Sequence, residues 1–80
     1  MKLPRDLSGI ELAKLLSHYG YHIPRQTGNH IRHTTQSFGE HHITIPAHNR
    51  LKIGTLSSIL FNIAEHFNIS KEQLYETLFK

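Results

Sequence analysis

The segment RQTGNHIRH, residues 25–33, places a histidine directly after a glycine–asparagine pair in the most basic part of the chain. An imidazole with an unperturbed pKa of about 6.5 exchanges protons near neutrality, so His30 is a candidate general acid or base. Gly28 and Asn29 are typical of a tight turn whose backbone N–H groups could bind a phosphate oxygen. Arg32 could hold the same phosphate and stabilise charge that builds on it. The alternative is a solvated strand histidine beside an ordinary surface arginine, which composition alone favours.

A second anion-binding candidate is RLKIGT, residues 50–55. Lys52 and Gly54 lead into a predicted helix capped by Thr55, and the unpaired N–H groups at a helix start favour anions. The alternative is an ordinary loop with a solvated lysine and a capping threonine.

Basic residues are concentrated in the middle of the chain. Residues 21–54 contain Arg25, Arg32, Arg50 and Lys52 against a single acidic residue, which gives this segment the same net charge as the whole chain, +3. Six of the eight histidines also lie there. This distribution favours a polyanion such as nucleic acid as the partner.

Composition limits the other classes of function. A chain of 80 residues predicts one domain, residues 1–80, with a small core. The absence of cysteine excludes a disulfide scaffold and a thiolate metal site. The first 20 residues contain no apolar stretch long enough for a signal peptide or a membrane span, so we expect a cytoplasmic protein.

The histidines invite a metal-site interpretation, but their spacing argues against it. His30 and His33 would point to opposite sides of a strand, and so would His41 and His42. No HExxH motif accompanies them. Only His30 with His42 across a sheet is left as a possible pair, and we expect neither a metal nor another cofactor.

Three helices are indicated by capping signals and by apolar residues at helical spacing. Ser8 and Glu11 form a predicted capping box for the first helix, and Gly20 is a suitable stop. The second helix is predicted to be capped by Thr55 and to end at Asn68. The third is predicted to start at Ser70, with Gln73 completing another capping box. The predicted apolar faces of the first two helices are Leu12, Leu15, Leu16 and Tyr19, and Leu56, Ile59, Leu60, Ile63 and Phe67.

Short segments rich in β-branched and aromatic residues predict strands at 21–26, 30–35 and 41–46. Three-residue turns at 27–29 and 38–40 would keep the isoleucines on one face and would place Gln26 opposite His30. Pro24 cannot donate to a ladder, which favours an open edge at the first strand. The isoleucines expected to face the helices are Ile23, Ile31, Ile43 and Ile45. The residues expected to face away are His22, Gln26, His30, Arg32, Thr34, His42 and Thr44.

The resulting element order is α-β-β-β-α with an extra C-terminal helix, an α+β fold. Helices on one face of a three-stranded antiparallel sheet leave the opposite face open. That face would carry His30 and Arg32, where a ligand can reach them.

The segments LSGIELAKLLSHYGYHIPRQTGNHIRHT, HHITIP and LKIGTLSSIL together resemble the HicA-type toxins, small mRNA interferases of toxin–antitoxin systems. The resemblance covers nearly the whole chain. It implies a fold like that of double-stranded-RNA-binding domains, metal-independent cleavage of mRNA, and neutralisation by a HicB-type antitoxin. Gly28 and His30 match the family's active-site pattern, whereas Asn29 stands where a serine is usual. Lys52, Gly54 and Thr55 match as well.

Such an enzyme would activate a ribose 2′-hydroxyl to attack the adjacent phosphate. In this interpretation His30 transfers the proton, Arg32 and the turn amides stabilise the transition state, and His42 is a possible second proton carrier. Arg25 and Lys52 would contact RNA phosphates. The competing interpretation is a non-catalytic module that binds duplex RNA through shape and backbone contacts. A third is a domain that binds only other proteins.

Overall fold

The computed structural model describes residues 3–4, 6–27, 30–47 and 50–79, with backbone alone for residues 24–27. Three strands form one antiparallel sheet in the order β1-β2-β3. A 3-10 turn, Ser17–Tyr19, follows the first helix. The elements are α1 (Gly9–Leu16), β1 (His22–Thr27), β2 (His30–Thr35), β3 (His41–Pro46), α2 (Ile53–Phe67) and α3 (Lys71–Phe79). The predicted α+β order, including the extra C-terminal helix, is confirmed.

Capping interactions explain where α1 begins and where the 3-10 turn that follows it ends. The Ser8 hydroxyl accepts a hydrogen bond from the Glu11 backbone N–H at 3.0 Å, and the Glu11 carboxylate accepts one from the Ser8 N–H at 2.9 Å. This reciprocal pair satisfies two N–H groups that a helix start leaves unpaired. After the 3-10 turn, Gly20 adopts the left-handed conformation, with φ of 81°. The predicted capping box and stop are both confirmed.

The cap of the second helix lies three residues before the predicted Thr55, at Lys52. Its first intrahelical bond runs from the Leu56 N–H to the Lys52 carbonyl at 2.9 Å, so Lys52 is the capping residue. Lys52 supplies no side-chain cap, and Thr55 lies inside the first turn. The predicted end at Asn68 is confirmed by its left-handed conformation. Ser70 likewise makes the predicted reciprocal bonds with Gln73, both at 3.1 Å, before α3.

The pairing of β1 differs from the prediction. Thr27 is opposite His30 and Gln26 is opposite Ile31, so only two residues separate β1 from β2 and the expected Gln26–His30 pair is wrong. The register shifts between His22 and Arg25, which is the segment that contains Pro24. A bulge of this kind bends an edge strand and re-aims its side chains. Ile23 is accordingly 44% exposed, and the prediction that it faces the helices is wrong.

The pairing of β2 with β3 keeps the predicted faces. The strands coincide with the predicted 30–35 and 41–46, although the connection is five residues, 36–40, and not three. Both lengths are odd, so each side chain stays on its predicted face. Ile31, Ile43 and Ile45 are at most 8% exposed.

The core lies between the sheet and the helices. Each helix and β3 contributes fully buried apolar side chains, and burying one leucine or isoleucine contributes about 1.5–3 kcal/mol. The residues at the centre of this cluster are Leu12, Leu16, Ile45, Leu56, Leu60, Ile63 and Leu74, all 0% exposed. None of the helices in the described ranges is long and apolar enough to cross a membrane.

Close backbone packing fixes α1 to the end of β3. A Cβ atom on Gly9 would overlap the Pro46 carbonyl oxygen and lie 3.1 Å from its carbonyl carbon. Next to Ser8, the Leu7 carbonyl accepts a hydrogen bond from the Leu51 N–H at 2.8 Å, just before α2. The starts of α1 and α2 therefore meet at the end of the sheet where Pro46 is paired with His30.

Candidate nucleic-acid interface

His30 and Arg32 are exposed side chains on the sheet surface that faces away from the helices. They alternate along β2 with Ile31 and His33, which are 2% and 1% exposed. We call this surface the open face; it carries His30, Arg32 and Thr34 of β2 and His42 and Thr44 of β3. Two positions along a strand span about 6.6 Å. Both long, exposed side chains can therefore reach one phosphodiester.

The start of α2 lies at the same end of the sheet as His30. Lys52 and Gly54 are exposed and Thr55 is half-buried. A Cβ atom on Gly54 would meet nothing within 4 Å, so the backbone there is open to a ligand. The Lys52 ammonium has no acceptor atom, so the N-cap side chain leaves the N–H groups of the first turn free for another acceptor. A cation and unpaired amides thus lie at the end of the sheet that carries His30.

Three of the predicted contact residues lie wholly or partly outside the described residues. Gly28 and Asn29 lie outside the described residues. Arg25 is described by its backbone alone, which pairs with Arg32 across the β1–β2 ladder.

A hydrogen-bonded chain of three side chains lies farther along the open face. His42 Nε2 is 2.5 Å from Glu40 Oε2, and His42 Nδ1 is 2.8 Å from the Thr34 hydroxyl. A carboxylate only accepts hydrogen bonds, so Nε2 is the donor to Glu40. In a neutral ring Nδ1 then accepts from Thr34. Both ring nitrogens of His42 are therefore engaged within the protein.

The sequence alone does not predict this hydrogen-bonded series of Glu40, His42 and Thr34. Thr34 and His42 are Cα partners across the β2–β3 ladder, and that pairing follows only from the five-residue connection. Glu40 is just outside β3, where an alternation rule for strands does not apply. The spacing of Glu40 and His42, two residues apart at the start of a predicted strand, is the signal that the sequence offers.

The register also separates His42 from His30. His30 is paired with Pro46, and His42 is paired with Thr34. Four positions along a strand correspond to about 13 Å. At that separation one phosphodiester does not contact both rings, so the register argues against His42 as the second proton carrier for His30. The same distance is too long for both rings to ligate one metal ion, because a zinc–nitrogen bond is about 2.0–2.1 Å. No group of three histidine, aspartate or glutamate side chains in the described ranges could hold a metal ion.

His33 and His41 are the histidines placed against the helices. The His33 ring is buried, its Nδ1 donates to the Ile31 carbonyl at 3.0 Å, and its Nε2 has no partner among the described groups. The His41 ring stacks on the His66 ring at a centroid distance of 4.3 Å. Its Nδ1 and the Tyr21 hydroxyl form a hydrogen bond of 2.7 Å. Burial lowers the pKa of both His33 and His41, and the nearby His66 and His42 lower that of His41 further.

Because of His33 and His41, we expect the fold to lose stability in acid. Their pKa is lower in the folded than in the unfolded chain, so stability is full above the unfolded value of about 6.5 and falls as the pH drops below it. We expect His33→Leu to reduce this loss, because leucine fills the buried position without a group that must take up a proton on unfolding. Thermal unfolding from pH 7.5 to 5 checks this. The exposed His18→Leu is the control; equal acid sensitivity of all three proteins would contradict the prediction.

Comparison with known protein families decides the class. A family model of the HicA toxin of bacterial toxin–antitoxin systems matches residues 9–65. The chain belongs to the HicA toxin family. The matched span runs from the first residue of α1 through most of α2, so it includes His30, Arg32 and the start of α2. No curated protein and no solved structure gives a match. As a HicA toxin, the chain has a cognate antitoxin as its implied partner.

Proposed function

We propose that this HicA toxin is a metal-independent endoribonuclease that cleaves mRNA on the open face, with His30 as the general base. The observation that carries the proposal is the placement of His30 and Arg32. Both are exposed, on the same side of β2, and close enough to contact one phosphodiester.

The reaction needs no nucleophile from the protein. His30 accepts the proton of a ribose 2′-hydroxyl as that oxygen attacks the adjacent phosphorus. The bond from phosphorus to the 5′-oxygen then breaks, which leaves a 2′,3′-cyclic phosphate and a 5′-hydroxyl. Arg32 holds the phosphate and stabilises the negative charge that builds on its oxygens. Because His42 is about 13 Å away, water supplies the proton to the leaving oxygen.

Neighbouring phosphates are held by the basic rim of the open face. Lys52 and the first-turn amides at Gly54 and Thr55 bind a phosphate at the start of α2. Arg25, Gly28 and Asn29 contact the RNA near the β1–β2 turn. Neutralising several phosphates releases counterions, so the affinity for RNA falls steeply with salt.

The antitoxin in this proposal is a HicB-type protein that covers the open face and its basic rim in the cytoplasm. Blocking the substrate surface is the simplest way to inhibit an enzyme whose catalytic side chains are already exposed on a sheet. The partner must therefore present acidic groups toward Arg32 and Lys52.

Incubation of the purified protein with labelled RNA in EDTA tests the proposal. We expect cleavage of single-stranded RNA at an EDTA-independent rate, with cyclic-phosphate and 5′-hydroxyl ends. Duplex RNA should be cleaved much more slowly, because its ribose and phosphate cannot reach in-line geometry. Retention of duplex without cleavage would support the duplex-binding module instead. If the protein neither binds nor cleaves RNA, that result would support a domain that contacts only proteins.

A further inference from the structure

The Glu40–His42–Thr34 chain has no role in the proposed reaction, although it lies on the same open face. Its ring is about 13 Å from His30 along the strands, a span of a few nucleotides rather than one. A strand of RNA whose phosphate is bound by His30 and Arg32, and which runs along β2 and β3, would therefore pass over His42.

The His42 ring is fixed and offers a π-face. Its Nε2 is bound by Glu40 at 2.5 Å and its Nδ1 by the Thr34 hydroxyl at 2.8 Å, so neither nitrogen is free for a proton transfer or a new hydrogen bond. The side chain is nonetheless 37% exposed. A ring held by two in-plane bonds loses little freedom when a ligand packs on it. Histidine rings are among the side chains on which unpaired RNA bases stack.

The charges along the open face place the phosphate and the base at different ends. Glu40 is the sole acidic residue between residues 21 and 54, and its carboxylate touches the His42 ring. That carboxylate repels an RNA phosphate at this position. Arg32 attracts a phosphate two positions from Thr34 along β2. The end of the open face at His42 therefore suits a neutral, planar group such as an RNA base.

We propose that His42, held between Glu40 and Thr34, is a stacking platform for an RNA base outside the cleaved phosphodiester. It thereby sets which nucleotide lies at His30. Glu40 and Thr34 hold the ring by its two nitrogens, and the affinity for the base comes from the aromatic face itself. This inference rests on the proposed function, since it needs single-stranded RNA on the open face.

The test measures binding without cleavage, in a His30→Ala background. The probes are a fluorescent single-stranded RNA of ten nucleotides and an abasic ribose-phosphate oligomer of the same length. We expect His42→Ala to raise the Kd for the RNA roughly tenfold, the effect of losing one base–aromatic stack. The Kd for the abasic oligomer should not change. His42→Phe keeps an aromatic face without the two hydrogen bonds and should bind the RNA within about twofold of the parent.

Each other outcome overturns the proposal. An unchanged Kd for RNA in His42→Ala would exclude stacking, and so would an equal loss for the abasic oligomer. A loss in His42→Phe as large as in His42→Ala would indicate a hydrogen-bonding role instead. Circular dichroism and thermal midpoints verify that both variants fold. Cleavage by the unmodified protein is measured separately, so failure of this inference leaves the ribonuclease proposal standing, and the reverse is equally visible.

Discussion

His30→Ala is expected to lower the rate of RNA cleavage by about 10²–10⁴-fold, the usual contribution of a positioned general acid or base. The side chain is exposed at the first position of β2 and its neighbour in sequence, Ile31, carries the packing. Loss of the imidazole should therefore change the free energy of unfolding by no more than about 0.5 kcal/mol. Cleavage of a labelled single-stranded RNA and thermal unfolding, measured on the same preparation, check both parts.

His18→Ala is the matched control, because His18 is an exposed histidine in the 3-10 turn, outside the open face. It should cleave RNA at the parent rate. His30→Gln keeps a polar side chain of similar size and should be as inactive as His30→Ala. A His30→Ala protein that cuts at the parent rate would remove His30 from the mechanism, whatever its stability.

The parts of the fold that the sequence predicts correctly depend on interactions between residues close in the chain. Ser8 with Glu11, and Ser70 with Gln73, are three residues apart, and each pair forms the expected reciprocal bonds. Asn68 ends α2 because a short polar side chain tolerates the left-handed conformation. Thr55 misled the prediction because a threonine before an apolar run suggests a cap, whereas α2 begins without any side-chain cap.

The parts that the sequence does not predict depend on pairing between strands. Ile23 alternates correctly with its neighbours, but the register shift at Pro24 exposes it. The same limit applies to the candidate site. A strand period of two places His30 and Arg32 together without any knowledge of the partner strand. How far His42 lies from His30 depends on which residues face each other across β2 and β3, and sequence alone does not give that pairing.

Gly9→Ala is expected to have the largest effect on stability. The added methyl group would overlap the Pro46 carbonyl oxygen, and the Ala47 Cα is only 3.3 Å away, so backbone would have to move on both sides. Forced overpacking of this kind costs about 3 kcal/mol. A domain of 80 residues is stable by only about 4–12 kcal/mol. The midpoint of thermal unfolding should consequently fall by about 12–24 °C.

Gly54→Ala is the matched control for that loss, because a Cβ at Gly54, in the first turn of α2, meets nothing within 4 Å. Alanine is the better helix former, so this variant should gain about 0.5–1 kcal/mol. Equal midpoints for the two variants would show that α1 does not pack against Pro46 as described. The contact also bears on function, since Pro46 is the cross-strand partner of His30. A displaced α1 shifts the end of β3 that supports His30, and cleavage by Gly9→Ala should fall even at temperatures where the protein remains folded.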